Sequence, residues 1–265
     1  MQTPQQQYKT DGYYLHPHPI VPKDLIQSAI QGMDKLRSGE YETGMPPRPS
    51  YWNPGDSFQK LCKIEMPQIA NNAIMRLISR PEIGELAAQL TGAKMVQVWW
   101  VQLLGKPPAQ PDQSTAPNTG TNIGWHQDRQ YWKSWAEESE LLTAWVALTD
   151  VTEQAGPMRF IRGSHKWGCL NQGDFYGQDH AAQRDQITVP DGETWEEVTA
   201  ILPPGGVSFH HNLTFHGSGP NRTTELRRSF AIHLRTEKSE PVNHQRSGLT
   251  EFIDQPTHCP IIYQG

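Results

Sequence analysis

Trp125-His126-Gln127-Asp128 is the stretch around which the chain reads. Side chains alternate faces along a β-strand, so a strand here points His126 and Asp128 the same way. An imidazole beside a carboxylate makes two-thirds of a 2-His-1-carboxylate triad. Such a triad holds non-haem Fe(II) by one face and leaves the opposite face open. An H-x-D alone is a weak signal. It gains weight from His216, in Thr214-Phe215-His216-Gly217-Ser218-Gly219, with Arg227-Arg228 and the apolar run Phe230-Ala231-Ile232 beyond it. That order puts a third ligand and a fixed cation on consecutive strands.

The surrounding sequence alternates in the same way. Met95 to Leu104 is rich in β-branched and aromatic residues, and Leu141 to Val151 is a second apolar strand. Shorter strands are expected at Gly156–Ile161, Val207–His210 and Leu226–Leu234. Upstream the period is helical. Leu25, Ile26, Ala29, Ile30, Met33 and Leu36 follow a helix opening at Pro22, and Gln68 to Leu90 is helical but broken by Pro81. Helices first and at least seven strands afterwards predict an α+β, mainly β architecture with a closed or double sheet. One domain over residues 1–265 is expected, with core strands about 94–235 and helices about 22–91. Residues 1–20 read as a mobile leader ending in a short extended piece, and 39–55 as a loop too polar for the core. The Pro/Ser/Thr-rich 106–120 and the polar 167–200 read as candidate lids.

A net charge of −5 and a pI near 6.1 argue against nucleic acid and against a basic membrane-surface binder. Cys62, Cys169 and Cys259 are scattered without C-x-x-C spacing, which argues against a disulfide framework or a thiolate zinc site and fits a reducing cytoplasm. No basic and apolar signal segment opens the sequence, and no apolar run approaches the roughly 18 residues of a membrane span.

With these pieces placed, the chain resembles the phytanoyl-CoA dioxygenase family of Fe(II)/2-oxoglutarate oxygenases. The resemblance runs from about Gln97 to Arg235. It includes Gln102-Leu-Leu-Gly-Lys106-Pro-Pro, Trp125-His-Gln-Asp128 with Tyr131-Trp132, Ala144-Trp145-Val-Ala-Leu, Gly163-Ser-His-Lys166, and His216 with Arg227. It implies a double-stranded β-helix, a cupin-like jelly roll, with the N-terminal helices packed on one sheet. By the same resemblance His126, Asp128 and His216 are iron ligands, and Arg227 grips the distal carboxylate of 2-oxoglutarate. Gln102, Trp145 and Ser218 match positions lining that co-substrate's pocket, and Trp132 matches an aromatic position beside the iron in related hydroxylases. The implied activity is a dioxygenase that consumes O2 and 2-oxoglutarate, releases succinate and CO2, and oxidises a small molecule, most simply by hydroxylation. Retention of Asp128 argues against halogenation, since relatives that halogenate lack the carboxylate.

Other readings stay open on the residues alone. A jelly-roll module binding a metal or small ligand without turnover would keep the triad but not require Arg227. A zinc hydrolase could use two histidines and a carboxylate. Arg228 and Arg222 compete with Arg227 for the inward position. Tyr131, Trp132 and Trp135 suit a core as well as a substrate wall. Arg129 could pair with an anionic substrate or form a surface salt bridge. One of the adjacent His210 and His211 could neighbour the site, whereas His16-Pro17-His18 is unpromising as a metal site.

Overall fold

The computed structural model describes residues 2–109 and 121–265, so most of the expected 106–120 loop lies outside the described residues. The chain opens with α1 (Pro4–Asp11) and β1 (Tyr13–Leu15), then α2 (Lys23–Ser38), β2 (Cys62–Glu65), α3 (Asn72–Ile78), α4 (Pro81–Thr91) and the long β3 (Met95–Lys106). There follow β4 (Ile123–His126), β5 (Leu141–Ala147), β6 (Met158–Ile161), α5 (His180–Gln186), β7 (Glu197–Thr199), β8 (Val207–His211), β9 (His216–Ser218), β10 (Arg227–Thr236) and β11 (Ile261–Gln264). The strands form two sheets. The larger runs β1-β8-β5-β10-β3-β11 with β2 also paired to β3, and the smaller runs β4-β9-β6-β7. Every pairing is antiparallel. This is a jelly roll.

Helices α1 to α4 cover the outer face of the large sheet, and α5 packs against β4. On α2 the residues Ile26, Ala29, Met33 and Leu36 recur at helical spacing and are buried, and Gly39 closes the helix at φ 84°. They share one apolar core with α3, α4 and the outward side chains of β3 and β10. Within β3 that alternation is interrupted. Val96 and Val98 face the helices, and so do Val101 and Leu103. Opposite the break, His233 pairs with Trp100 and Leu234 with Val98, so Trp99 is the extra residue of a β-bulge. The bulge lets the adjacent Trp99 and Trp100 both face the interior, where they wall a cavity.

Several expectations need correction. Residues 3–11 are not a mobile leader, whereas the short extended piece expected after them is β1. Thr3 and Gln6 cap α1 reciprocally, Pro4 occupies its first turn, and β1 pairs with β8. Low hydropathy concealed a capped helix. The 39–55 segment does contribute to the core: Trp52 is buried and its indole donates to the Arg37 carbonyl at 3.0 Å. Part of 167–200 is regular, forming α5 and β7. Beyond Thr236 the tail returns to pair β11 with β3. Finally, β4 ends at His126, and Asp128 begins a 3-10 turn. Gln127 is still extended, at φ −108° and ψ 130°, so the alternation that aligns His126 with Asp128 survives one residue past the ladder.

The N-terminal segment docks through Gly12, at φ +81°. A Cβ there would lie 2.4 Å from His165 Nδ1 and 2.6 Å from Thr214 Oγ1. Gly12→Ala is therefore expected to cost about 1–3 kcal/mol, the range for a non-glycine residue forced into left-handed backbone. Urea unfolding would measure it, and a loss of only a few tenths would mean that this segment is not integral to the fold.

Candidate metal centre

Strand pairing assembles the centre. His126 at the end of β4 and His216 at the start of β9 are direct cross-strand partners. Their rings lie 4.1 Å apart, centroid to centroid. The Nε2 atoms of His126 and His216 stand 3.6 and 3.7 Å from Asp128 Oδ1. Donor atoms of all three residues lie within 4.8 Å of one another, and all three residues are buried.

The backbone orients both imidazoles. His126 Nδ1 is 2.8 Å from the Gly124 carbonyl and His216 Nδ1 is 2.9 Å from the Thr214 carbonyl. Carbonyls only accept, so each Nδ1 carries the proton and each Nε2 presents a lone pair to the shared point. A metal-binding histidine needs this tautomer. Burial, reinforced by His126 and His210, pushes His216 well below the ordinary imidazole value. For Asp128, burial acts to raise the carboxyl. The surrounding His216, His126 and His210 outweigh it and hold Asp128 well below the usual carboxylate range.

The second carboxylate oxygen is held from the large sheet. Thr143 Oγ1 donates to Asp128 Oδ2 at 3.0 Å, and His210 Nε2 lies 3.3 Å from the same oxygen. The Thr143 hydroxyl has one proton, already committed to Asp128, so it accepts from His233 Nδ1 at 2.8 Å. His233 is thereby set in one tautomer, and burial pushes its pKa down to about 4. Thr143, His210 and His233 were not foreseen, apart from the expectation that one of His210 and His211 would neighbour the site. His211, on the other face of β8, meets Tyr8 and His165 instead.

An inner chamber lies on one side of the triad. Gln102, Trp145, His210 and Arg227 belong to its wall. Arg227 is buried, with its guanidinium carbon 5.2 Å from the Trp145 ring centroid. Arg228 points outward to Asp34 at 3.1 Å. Ser218 stands behind Arg227 rather than in the chamber wall, accepting from its NH1 at 2.9 Å and from Lys106 Nζ at 2.7 Å. Lys106 also donates to the carbonyls of Ser218 and Gly219. Arg227 Nε and Trp145 Nε1 are buried donors with no hydrogen-bond partner among the described residues. Two unmet donors beside a cation, in one chamber, fit a carboxylate acceptor.

An outer cavity of about 280 Å³ adjoins this chamber and shares Gln102, His126 and Asp128 with it. His126 and Asp128 reach its wall, and Tyr131, Trp132, Phe175 and Tyr176 give it aromatic sides. Phe175 comes from the 167–200 segment and packs edge-on to His126 at 5.1 Å. That segment is tied to β4: Gly124 N donates to the Phe175 carbonyl at 2.9 Å and Trp125 N to Gln183 Oε1 at 2.8 Å. Among the described residues Arg129 is in neither wall and forms no salt bridge. Its guanidinium donates to the carbonyls of Trp132 and Trp135 at 2.6 and 3.1 Å, closing the turn after Asp128. His16 and His18 form no metal-ligating group among the described residues.

A jelly roll with two histidines and a carboxylate gathered between its sheets has the architecture of the Fe(II)/2-oxoglutarate-dependent oxygenases. The chain belongs to the phytanoyl-CoA dioxygenase family, whose model matches residues 8–229. It is 26% identical over 185 residues to a probable alpha-ketoglutarate-dependent hypophosphite dioxygenase of Stutzerimonas stutzeri, covering 67% of this chain and 58% of that protein. It is 24% identical over 162 residues to the human peroxisomal phytanoyl-CoA dioxygenase, covering 61% of this chain and 45% of the human one. The chain thus spans about half the length of these curated relatives. Among solved structures, the epimerase SnoN in complex with Fe3+, alpha-ketoglutarate and nogalamycin RO is 25% identical. It superposes with a TM-score of 0.67, covering 90% of this chain and 84% of that one.

Thr143→Val removes the hydroxyl that orients Asp128 while keeping the side chain's shape. It is expected to weaken Fe(II) binding by about 10–100-fold, the usual effect of losing an outer partner of a metal ligand. Anaerobic calorimetry reads this directly. Unchanged affinity, with unfolding as in the parent protein, would remove Thr143 from the centre.

Proposed function

We propose that the protein is an Fe(II)/2-oxoglutarate-dependent dioxygenase that hydroxylates a small molecule, releasing succinate and CO2. One observation carries this reading. Three correctly oriented donors from His126, Asp128 and His216 face a buried point, and a chamber with two unmet donors, on Arg227 and Trp145, adjoins it.

In this reading His126, Asp128 and His216 hold iron, and Arg227 and Trp145 receive the distal carboxylate of 2-oxoglutarate. The bound metal and co-substrate supply the activation of O2 and the oxidation of a C–H bond. The chain's own residues do the rest. Backbone carbonyls fix the imidazole tautomers. Thr143 and His210 keep one Asp128 oxygen occupied so that the other faces the metal. Ser218, supported by Lys106, holds the Arg227 guanidinium in place. Burial pushes Arg227 down to about 9, which still leaves it cationic near neutral pH and costly to leave without an anion. Gln102, in the walls of both chambers, marks the boundary between co-substrate and substrate. Tyr131 and Trp132 belong to the substrate side.

The strands of this unit come from β1 through β11, which supports treating residues 1–265 as one catalytic domain. The three cysteines are unpaired, which supports a reducing, cytoplasmic setting. No helix among the described residues is long and apolar enough to cross a membrane.

The test is an anaerobic titration of the Fe(II)-loaded protein with 2-oxoglutarate, following the visible charge-transfer band of the chelate. A saturable band is expected. Arg227→Ala should raise the 2-oxoglutarate concentration required by about 30-fold or more, as expected for one partner removed from a buried charge pair. Fe(II) binding should persist. If iron binds and no band forms, the dioxygenase reading fails and a ligand-binding module replaces it.

A further inference from the structure

The outer cavity holds a charged pair that the reaction outlined above does not use. Lys63 and Glu65 lie on β2, two residues apart and so on one face of the strand. Lys63 Nζ is 2.8 Å from Glu65 Oε1, and the two side chains are only 12% and 14% exposed. Glu65 is held firmly. Trp100 Nε1 donates to its Oε2 at 2.6 Å and Gln102 Nε2 to its Oε1 at 3.4 Å. The Lys63 ammonium lies 4.9 Å from the Phe175 ring centroid, so it faces the same space as the ring that packs on His126. Lys63, Glu65, Phe175 and His126 all belong to the wall of this one cavity.

Three properties of the cavity define its occupant. Its volume of about 280 Å³ lies at the small end of ligand sites, which run to about 1,000 Å³. Its sides are mainly aromatic: Trp99 and Trp132 meet edge to face at 4.8 Å, with Trp100 beside them. Aromatic walls favour flat rings by stacked and edge-on contacts. Away from Asp128 and the metal centre, its polar wall among the described residues carries one positive and one negative charge side by side, a pair of no net charge. A carboxylate placed there meets Glu65, and an ammonium meets Lys63. A hydroxyl accepts from the ammonium and donates to the carboxylate at the same time.

We infer that the substrate is a compact, flat, uncharged ring compound whose hydroxyl group is read by the Lys63–Glu65 pair, with the ring laid against the aromatic wall beside His126. The oxidation of this compound rests on the dioxygenase reading; its binding and charge preference do not. A free small molecule of this kind fits, whereas an acid, an amine or a nucleotide-bearing thioester does not.

Three probes of one shape but different charge test this: 2-naphthol, 2-naphthoate and protonated 2-naphthylmethylamine. Each is titrated by calorimetry into iron- and 2-oxoglutarate-loaded protein under argon, with the charge-transfer band recorded on the same sample. The parent protein should bind 2-naphthol at least tenfold more tightly than either charged probe. Removing one partner leaves the other charge uncompensated. Glu65→Gln should therefore turn the preference to 2-naphthoate, and Lys63→Met should turn it to the ammonium. A parent protein that binds a charged probe best, or none of the three, overturns the inference. So do folded variants that keep the 2-naphthol preference. If a variant does not fold, the ranking in the parent protein alone decides. The two readings fail separately: a missing band with the 2-naphthol preference intact sinks only the dioxygenase assignment, and a band with no such preference sinks only the substrate class.

Discussion

A buried carboxylate is the constraint on which this structure turns. Asp128 lies between two sheets, where an uncompensated charge is costly. Only one of its oxygens is hydrogen-bonded by the protein, and the other is left for a cation. Oδ1 faces the Nε2 atoms of His126 and His216, and Oδ2 takes the Thr143 hydroxyl and approaches His210. Those partners come from β4, β9, β5 and β8, so the small and large sheets meet at one side chain. The His126 and His216 rings cannot rotate freely, because each is tied through Nδ1 to a backbone carbonyl two residues earlier. What remains is a set of lone pairs without protons between them, an arrangement suited to a divalent cation.

The two spaces flanking this centre differ in their chemistry. The inner one ends at Arg227, a cation with an unmet donor, backed by Lys106 and Ser218 and covered by Trp145. The outer one is walled by aromatic rings and a charge pair of no net sign. Gln102, His126, Asp128, Phe175 and His233 belong to both walls. A co-substrate rich in carboxylate and a ring compound of no charge would thus be sorted by electrostatics to two adjoining spaces beside the same carboxylate. The β3 bulge is the local device behind the outer space. Without the bulge, regular alternation would send Trp99 and Trp100 to opposite faces of the sheet.

Much of the centre was legible in the chain. His126 and Asp128 sit two apart in an extended stretch, and His216 precedes a strand whose alternation sends Arg227 and Arg228 to opposite faces, with the structure deciding that Arg227 is the inward one. The helical face of α2 and the break at Pro81 that separates α3 from α4 were equally readable, because local periodicity and backbone chemistry produce them. Less legible were the capped α1, whose polar composition resembled a leader, and β2 and β11, which are short strands with little periodicity of their own. Ser218 and Arg129 had the right neighbours in sequence but different roles in space. Ser218 braces the arginine instead of lining the chamber, and Arg129 closes a turn.

The sequence by itself determined the donor types, their order along the chain and the face on which each would fall, since these follow from residue chemistry and the two-residue period of a strand. Only the tertiary structure decided which ordinary residues surround them. Thr143 and His210 hold Asp128, His233 holds Thr143, and Lys63, Glu65 and Phe175 shape the outer cavity, through strand pairings and loop contacts that span long stretches of the chain. Nothing in their immediate sequence marks these positions. Their roles arise because antiparallel pairing, one bulge and the packing of the 174–183 segment on β4 bring Thr143 and His210 to Asp128, His233 to Thr143, and Lys63, Glu65 and Phe175 into the wall of one cavity.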